Sequence, residues 1–356
     1  MEENKDLKEV LDAINKKFGE GSIQNASDVN LKIDRLPTGI FGLDLELGGG
    51  LPAGRLVELY GKEQSLKSTI ALRAVAQAQR AGKYCAYLDI EGRLDLNWAK
   101  KQGVDIEKLK FSRPETGEKA GDIVDALVRS GKFAIIVIDS VSALIPQLDT
   151  EQSMTDTEKI GGRAQLGNRL VRKVHSGLNN KNSDGTLNQT CIIFINQIRM
   201  KIGTYGNPED TTGGLGLRFG ASVRIEVRKS EYLKHKDDIV GFILKFKITK
   251  NTTYMPYRVG QFKFYLDGRI DNITSLVDYG IMLGVIHQGG AGNYTFDEEK
   301  IKGRDELVNR VLKDEKFRKK LATQVREAYG NTKISTAEDE TGDRKKRGKE
   351  DNKTVK

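Results

Sequence analysis

The stretch from residue 59 to residue 69 constrains the fold of this chain most. It combines the end of a β-rich run, a glycine-containing loop and the start of a helical segment. Its spacing follows a phosphate-binding loop, in which glycine, four free positions and a second glycine precede lysine and a hydroxyl residue. Gly61, Lys67 and Ser68 stand at the required positions, and Leu66 replaces the second glycine. The sequence therefore predicts a strand, a phosphate-binding loop and a helix in succession.

Each residue type in this loop has a physical reason to be there. Backbone N–H groups of the loop and the first helical turn point at phosphate oxygens, and the helix dipole favours the anion. Lys67 is expected to reach the outer phosphates, and the Ser68 hydroxyl to bind Mg²⁺. Leu66 carries a Cβ, so we expect its φ angle to avoid positive values. The predicted nucleotide-binding residues are Gly61, Lys62, Glu63, Gln64, Ser65, Leu66, Lys67, Ser68 and Thr69.

The composition favours a soluble protein with a negatively charged partner. Charged residues make up 31% of the 356 residues, and the formal net charge of +9 favours a polyanion. Cys85 and Cys191 lie in apolar runs, so we expect buried thiols in a reducing cytosol. No apolar run approaches the roughly 18 residues that span a bilayer, and the first residues lack the layout of a signal peptide. We therefore expect a cytoplasmic protein with no membrane partner.

Short runs rich in β-branched and aromatic residues alternate with helical segments through the middle of the chain. The β-rich runs are residues 55–60, 84–90, 133–139, 190–196 and 222–227, with helical segments that include 68–81 and 117–130. This alternation predicts an α/β fold with a mainly parallel sheet and helices on both faces. Residues 239–249 and 261–266 are expected to add antiparallel strands.

Changes in composition divide the chain into four expected regions. Residues 1–35 hold a helix and a linker, 36–270 the α/β core, 271–330 a small separate α/β domain, and 331–356 a charged, disordered tail. The helix at 5–18 has one apolar face, formed by Leu7, Val10, Leu11, Ile14 and Phe18. That face either packs on its own domain or docks on a neighbouring subunit, and the pattern leaves both open.

Carboxylates at strand ends suit nucleotide chemistry. Proteins with a phosphate-binding loop place the carboxylate that holds Mg²⁺ through water at the end of a buried strand, where Asp139 stands here. Glu91 is either the group that activates water or an ordinary solvated loop residue. Ligands of open parallel sheets bind at the carboxyl ends of strands, so Gly61, Asp139 and Gln197 should lie close together. Trp98 either stacks on an adenine ring or belongs to the core.

Two polar loops suit a single-stranded nucleic-acid backbone. Residues 203–214 are glycine-rich and follow Arg199 and Lys201, and loops of this length are usually functional. The second loop, 150–162, leads into a segment with Arg163, Arg169 and Arg172, whose charges alternatively belong to an ordinary solvated helix face. Because both loops are expected on one side of the sheet, we favour a DNA-binding groove.

Several motifs together resemble the bacterial RecA family of recombinases. They are Pro37-Thr38-Gly39, Gly42-Leu43-Asp44, Gly49-Gly50-Leu51-Pro52, Asp89-Ile90-Glu91, Ile195-Asn196-Gln197-Ile198-Arg199-Met200-Lys201-Ile202-Gly203 and Thr211-Thr212-Gly213-Gly214. The resemblance covers roughly residues 4–330, and the run 195–214 is its most specific part. It implies a P-loop ATPase core of the RecA type with a mainly parallel twisted sheet, an N-terminal helical arm and a small C-terminal α/β domain. It also implies a helical homo-filament on single-stranded DNA, with ATP and Mg²⁺ at the subunit interface. Such a filament pairs with homologous duplex DNA, exchanges strands and hydrolyses ATP in a DNA-dependent way.

The resemblance also implies roles for individual residues. The implied catalytic residues are Lys67, Glu91, Gln197 and Lys250, with Lys250 acting on the ATP of the neighbouring subunit. Nucleotide contacts extend to Asp95, Trp98 and Asp139, and Ser68 and Asp139 bind the metal. Loops 152–159 and 198–212 line the DNA path, and the implied DNA-binding residues are Arg163, Arg169, Arg172, Arg199, Met200, Lys201, Gly203, Asn207, Thr212 and Gly213. The subunit interface includes Phe219, together with Ile14 and Phe18 of the docking helix.

The chain departs from the family pattern at informative positions. Lys250 matches the first of two lysines that the family places across the interface, but Thr252 stands at the second. The loss of such a cation can slow hydrolysis on the order of a thousandfold, so we expect either slower hydrolysis or compensation by another basic group. Leu66 and Thr252 together favour a runner-up function, in which the protein forms a filament on single-stranded DNA and binds nucleotide with negligible turnover. A hexameric helicase-type motor is the third hypothesis. Loading or mediator proteins and a self-cleaving repressor are further partners that the resemblance leaves open.

Overall fold

The computed structural model describes residues 5–25, 27, 32–144, 162–182, 185–200, 209–211 and 214–331. The helices are α1 (Lys5–Phe18), α2 (Phe41–Glu46), α3 (Lys67–Arg80), α4 (Leu96–Lys101), α5 (Gly117–Arg129), α6 (Gly162–Leu178), α7 (Gly214–Gly220), α8 (Asn272–Met282), α9 (Arg304–Lys313) and α10 (Glu315–Gly330). The strands are β1 (Arg35–Leu36), β2 (Leu51–Pro52), β3 (Leu56–Gly61), β4 (Tyr84–Asp89), β5 (Lys110–Ser112), β6 (Phe133–Asp139), β7 (Cys191–Met200), β8 (Glu209–Thr211), β9 (Val223–His235), β10 (Asp238–Asn251), β11 (Val259–Tyr265), β12 (His287–Gln288), β13 (Asn293–Phe296) and β14 (Glu299–Lys302).

One large sheet organises the middle of the chain. Its strand order is β5-β4-β6-β7-β3-β9-β10-β11, and the short strand β8 pairs with β7. The strands from β5 to β9 run parallel to their neighbours, whereas β10 and β11 are antiparallel. The predicted α/β fold with a mainly parallel sheet and antiparallel additions is therefore confirmed.

Side chains alternate between the two faces of this sheet, and each face is covered by helices. Along β6, Ile135 and Val137 pack in the cluster that contains the apolar face of α3, whereas Ile136 and Ile138 pack with α5 and α6. This period of two is the geometry of a strand, and burial on both faces explains why the run is apolar throughout. Helices on both faces, as predicted, hold the sheet rigid below its carboxyl ends.

Two strands extend beyond their predicted ends because of pairing partners distant along the chain. β7 continues past Asn196 to Met200, where Ile198 and Met200 pair with Thr211 and Glu209 of β8. β9 continues to His235, since it pairs with β10 as far as Asp238. Residue patterns within each segment carry no signal of such partners, so the sequence predicted shorter strands.

The chain divides into two units, Met1–Asp34 and Arg35–Lys356. In the first unit, α1 has the predicted bounds and is followed by Gly19, whose φ angle of 103° suits glycine. Leu7, Val10 and Phe18 of its apolar face expose 51%, 55% and 67% of their surface.

The C-terminal part of the second unit builds its own apolar cluster. Residues of α8, β13, α9 and α10 pack together, with Phe296 and Phe317 in an edge-to-face arrangement. Leu45 of α2 belongs to the same cluster, and Glu46 beside it accepts hydrogen bonds from Tyr279 and Tyr329. The small C-terminal elements thus join the core through α2. No helix in the described part of the chain combines the length and apolar character needed to cross a membrane.

Candidate active site

Four strand ends lie side by side, and they include the three, at Gly61, Asp139 and Gln197, that the sequence predicts to lie close together. In the order β4, β6, β7, β3, these strands end at or near Asp89, Asp139, Gln197 and Gly61. The register pairs Asp89 with Asp139 and Gly61 with Gln197. Parallel strands bring their carboxyl ends to one edge, so these side chains form a single polar region.

The phosphate-binding loop lies between β3 and the N-terminus of α3. Gly61 is required by close packing, because a Cβ there would lie 2.2 Å from the carbonyl oxygen of Val227 and 2.7 Å from Oγ of Ser65. The Lys67 ammonium donates to the carbonyl oxygens of Lys62 at 2.8 Å and Gly61 at 3.3 Å. Burial lowers the pKa of Lys67, and the negative charges of Asp139 and Glu91 partly offset this decrease. A buried cation at a helix N-terminus suits phosphate oxygens as further acceptors.

The expectation that Leu66 avoids a positive φ angle is wrong. Leu66 is the N-cap of α3, with φ 62° and ψ 23°, in the left-handed region. Its side chain is half-buried and packs against the apolar cluster beneath the loop. Leu66 thus has a backbone conformation that costs glycine little, and the packing of its side chain offsets part of the strain.

Ser68 and Asp139 are in direct contact. The Ser68 hydroxyl donates to Oδ2 of Asp139 at 2.6 Å, and the Tyr87 hydroxyl donates to the same oxygen at 2.5 Å. Burial raises the pKa of Asp139, although these two hydrogen bonds lower it. A hydroxyl and one carboxylate are a donor set that Mg²⁺ takes when nucleotide phosphates supply further oxygens. Among the described residues, His, Cys, Asp and Glu side chains form no group of three that could hold a metal by themselves.

Glu91 and Gln197 form the second direct contact of the region. Nε2 of Gln197 donates to Oε1 of Glu91 at 3.0 Å, and the Ser140 hydroxyl donates to the same oxygen. Arg93 lies 3.7 Å from the other carboxylate oxygen. Glu91 is therefore held by donors on two neighbouring strand ends, unlike a freely solvated loop residue.

Sequence reasoning missed Tyr87 and the task of Asp89. Tyr87 lies two residues before Asp89 on β4, so the strand period places both on one face, which was the available signal. Asp89 is 2% exposed and accepts from the backbone N–H groups of Arg93 and Leu94, each at 3.1 Å. Arg113 also donates to it at 2.8 Å. Asp89 therefore fixes the turn that carries Glu91.

Trp98 lies partly in the core, close to the loop. Its ring packs against the main apolar cluster, with Phe264 at a centroid distance of 6.2 Å, and its Nε1 donates to Oγ1 of Thr69 at 3.1 Å. Asp95 is exposed and caps α4 by accepting from the N–H groups of Asn97 and Trp98. Trp98 thus contacts the helix that follows the phosphate-binding loop, and the adenine contacts expected of Asp95 and Trp98 stay predictions.

Lys250 lies near Phe219, apart from the loop of its own chain. Its ammonium donates to the carbonyl oxygen of Phe219 at 2.7 Å, and burial lowers its pKa. The Phe219 side chain is 71% exposed. Thr252, two residues further along, is exposed as well. Lys250 and Phe219, both assigned to a subunit interface from the sequence, therefore lie on one surface.

The predicted DNA-binding residues are only partly described. Arg169 and Arg172 are exposed on α6, which also carries Arg163, and Arg199 is exposed on β7 before Met200. Lys201, Gly203, Asn207, Thr212 and Gly213 lie outside the described residues, as does the loop 152–159. The tail 332–356 also lies outside them.

Comparison with known proteins places the chain in a family. The family model of the RecA N-terminal domain matches residues 5–271. Protein RecA of Cereibacter sphaeroides is 39% identical over 348 residues, which cover 96% of this chain and 98% of that protein. Protein RecA of Campylobacter hominis is 38% identical over 357 residues, covering 98% and 100%. For Protein RecA of Frankia alni, the identity is 43% over 317 residues, covering 88% and 89%. With this match over most of its length, the chain belongs to the RecA family, whose members bind nucleotide and DNA, form filaments and act as DNA-dependent ATPases in homologous recombination.

Proposed function

We propose that this protein assembles as a helical filament on single-stranded DNA, with ATP and Mg²⁺ at the phosphate-binding loop, and exchanges strands with homologous duplex DNA. The observation that carries the proposal is the 3.0 Å hydrogen bond from Gln197 to Glu91. It joins the carboxylate suited to activate water with the strand that leads into the loop 198–212. Chemistry at the nucleotide and the position of a DNA-binding loop can therefore depend on each other.

The residues of the loop would act by position and charge. Lys67 is buried and its ammonium is held inside the loop by Gly61 and Lys62, so it would exchange a loop oxygen for a phosphate oxygen when nucleotide binds. Ser68 and Asp139 would hold Mg²⁺, which neutralises phosphate charge when bound. Glu91, fixed by Ser140 and Gln197, would accept a proton from the attacking water. Asp95 and Trp98 would border the adenine.

The second half of the site is proposed to come from a neighbouring subunit. Lys250 lies away from the loop of its own chain and beside the exposed Phe219, which suits a surface that contacts another copy. The exposed apolar residues Leu7, Val10 and Phe18 of α1, with Ile14, would supply the docking arm on the same neighbour. A filament interface would then complete each ATP site.

Single-stranded DNA is proposed to lie against the loops 152–159 and 198–212. Arg169 and Arg172 on α6 and Arg199 on β7 are exposed cations suited to phosphates. Arg163, Met200, Lys201, Gly203, Asn207, Thr212 and Gly213 complete the proposed contacts. We further propose a cytoplasmic location, with loading or mediator proteins and a self-cleaving repressor as partners of the filament.

The runner-up, a filament protein with negligible turnover, rested on Leu66 and Thr252. The left-handed conformation of Leu66 removes the first argument, since the loop backbone has the conformation available to glycine. The argument from Thr252 still stands, and it predicts slower ATP hydrolysis rather than no hydrolysis.

The proposal is tested with Lys67→Ala, and Lys62→Ala on the same loop is the matched control. Lys62 contributes its carbonyl oxygen to the Lys67 ammonium, and that oxygen remains when its side chain is removed. We expect Lys67→Ala to reduce phosphate release in the presence of single-stranded DNA at least a hundredfold, and Lys62→Ala to change it less than about threefold. Full DNA-stimulated hydrolysis in Lys67→Ala would falsify the site assignment. Strand exchange between circular single-stranded and linear duplex DNA tests the overall activity.

A further inference from the structure

A buried ion pair lies between the nucleotide site and the proposed DNA loop. Glu58 on β3 and Arg224 on β9 are register partners on adjacent strands, 0% and 8% exposed. Nε of Arg224 donates to Oε2 of Glu58. Replacing such a pair by apolar residues is often neutral or stabilising, so its presence alone is weak evidence of a stabilising role.

One oxygen of the pair holds the strand that bears Gln197. Nδ2 of the fully buried Asn196 donates to Oε1 of Glu58 at 2.8 Å. Asn196 immediately precedes Gln197, whose amide contacts Glu91. The carboxylate of Glu58 therefore fixes β7 one residue from the contact that joins the strand to the nucleotide site.

The other side of the pair reaches the far end of the loop. Nη2 of Arg224 lies 3.5 Å from Oγ1 of Thr211, the last residue of β8. Thr211 pairs with Ile198, so β7 and β8 bracket the segment 201–208. Glu58 thus contacts the strand before this segment, and Arg224 contacts the strand after it.

Arg224 also contacts an aromatic ring and lies beside the proposed interface lysine. Its guanidinium lies over the Tyr60 ring, 4.6 Å from the centroid, and the Tyr60 hydroxyl is 2.9 Å from Oγ1 of Thr249. Arg224 is also the register partner of Lys250, which bonds the Phe219 carbonyl. A single buried cation thereby adjoins the loop strand and the proposed interface lysine.

We propose that Glu58 and Arg224 are positioning residues that couple the nucleotide site to the DNA-binding loop through Asn196 on one side and Thr211 on the other. The inference rests on the proposed function, because it assigns a route to the dependence of DNA binding on nucleotide. Both residues are buried, and they would act by setting how strongly one ligand affects the affinity for the other. By linkage, the factor by which ATP raises DNA affinity equals the factor by which DNA raises ATP affinity.

The test uses Thr211→Val in the full chain, which removes the hydroxyl and leaves the buried pair intact. Thr249→Val is the matched control, because Thr249 borders Arg224 and Tyr60 but lies outside the loop strands. The affinity for a fluorescein-labelled oligothymidylate is measured by anisotropy with ATPγS and with ADP. We expect Thr211→Val to reduce the ratio of the two affinities about fivefold, through the ATPγS value alone. Thr211→Ser should restore the ratio, and Thr249→Val should leave it unchanged.

A second variant follows the same contact from the other partner. Arg224→Lys keeps a cation beside Glu58 but shortens the reach to Thr211, so it should reduce the ratio by a similar factor. The double variant Thr211→Val, Arg224→Lys should have a ratio no lower than that of either single variant, because both substitutions remove the same interaction. A normal ratio in Thr211→Val, or additive losses in the double variant, would overturn the inference. Equal affinities with ATPγS and ADP in the unmodified protein would instead contradict the proposed function, and the inference would fall with it.

Discussion

The side-chain amide of Gln197 donates a 3.0 Å hydrogen bond to Oε1 of Glu91, which joins the end of β7 to the turn after β4. Glu91 and Gln197, two of the predicted catalytic residues, are therefore in direct contact. A general base must be correctly oriented, and the Gln197 amide and the Ser140 hydroxyl together restrict the orientation of the Glu91 carboxylate. Removal of the Glu91 charge should then separate hydrolysis from nucleotide binding.

We expect Glu91→Gln to reduce DNA-dependent phosphate release at least about a hundredfold, because an amide accepts no proton from water at neutral pH. Nucleotide affinity, measured by equilibrium titration, should change less than about threefold. Glu63→Gln is the control, since Glu63 and Glu91 both approach Arg93, at 3.8 and 3.7 Å, but Glu63 is exposed on the loop. Equal losses in the two variants would trace the effect to Arg93 and exclude Glu91 as the base.

Position 66 offers a direct test of backbone strain. Leu66→Gly and Leu66→Ala both remove the packed side chain, so their difference isolates the cost of a Cβ at φ 62°. We expect the glycine variant to be more stable than the alanine variant by about 1 kcal/mol in urea unfolding. Within α3 the order reverses, and Ala78→Gly should destabilise the protein by at least about 1 kcal/mol, because it also removes a buried methyl group. Alanine as stable as glycine at position 66 would show that the loop relaxes out of the left-handed region.

Leu66 also shows where sequence reasoning reaches its limit. Strand ends at Asp139 and Gly61 could be predicted, because apolar runs and polar ends are local patterns. The φ angle of Leu66 could not, because loop closure between β3 and α3 and packing below the loop decide it. The preference of leucine predicts a negative φ angle at this position, but the tertiary structure imposes a positive one.

Contacts between distant strands were equally out of reach. The order β6-β7-β3-β9 brings Glu58, Asn196 and Arg224 together, and no local pattern encodes which strand neighbours which. Charged residues inside two apolar runs, Glu58 in the first and Arg224 and Glu226 in the second, were the available signal of a buried pair. The residues of the candidate site were predicted better than the buried residues that hold them in place, because the motif specifies only the residues that face the ligand.

A pH dependence is expected from Asp44, which lies in the Gly42-Leu43-Asp44 motif. Burial raises the pKa of Asp44 to about 7, against the hydrogen bonds donated by Thr38 and Gly39. The folded chain therefore holds this proton to a higher pH than the unfolded chain, where the pKa is about 3.9. The resulting stability is complete below about pH 4 and is lost as the pH rises through 7.

The measurement compares the unfolding free energy of the protein and of Asp44→Asn across this range. The difference between them should fall by as much as about 4 kcal/mol from low to neutral pH, and then stay constant. A difference independent of pH would mean that Asp44 ionises normally in the folded chain.

Thr252 provides the test of slow turnover at the proposed subunit interface. Its side chain is exposed two residues after Lys250, and its backbone N–H donates to the carbonyl oxygen of Ser222 at 2.9 Å. A lysine at this position would place a second cation beside the first without disturbing that backbone contact. Cations that approach transferring phosphates stabilise the charge of the transition state, so Thr252→Lys should raise DNA-dependent kcat at least about tenfold. Thr252→Gln lengthens the side chain without adding a charge and should leave kcat unchanged. The increase should also require filament assembly, so it should vanish at protein concentrations too low for assembly on DNA. A rise of the same size in Thr252→Gln, or one that survives dilution, would exclude a charge supplied to a neighbouring subunit.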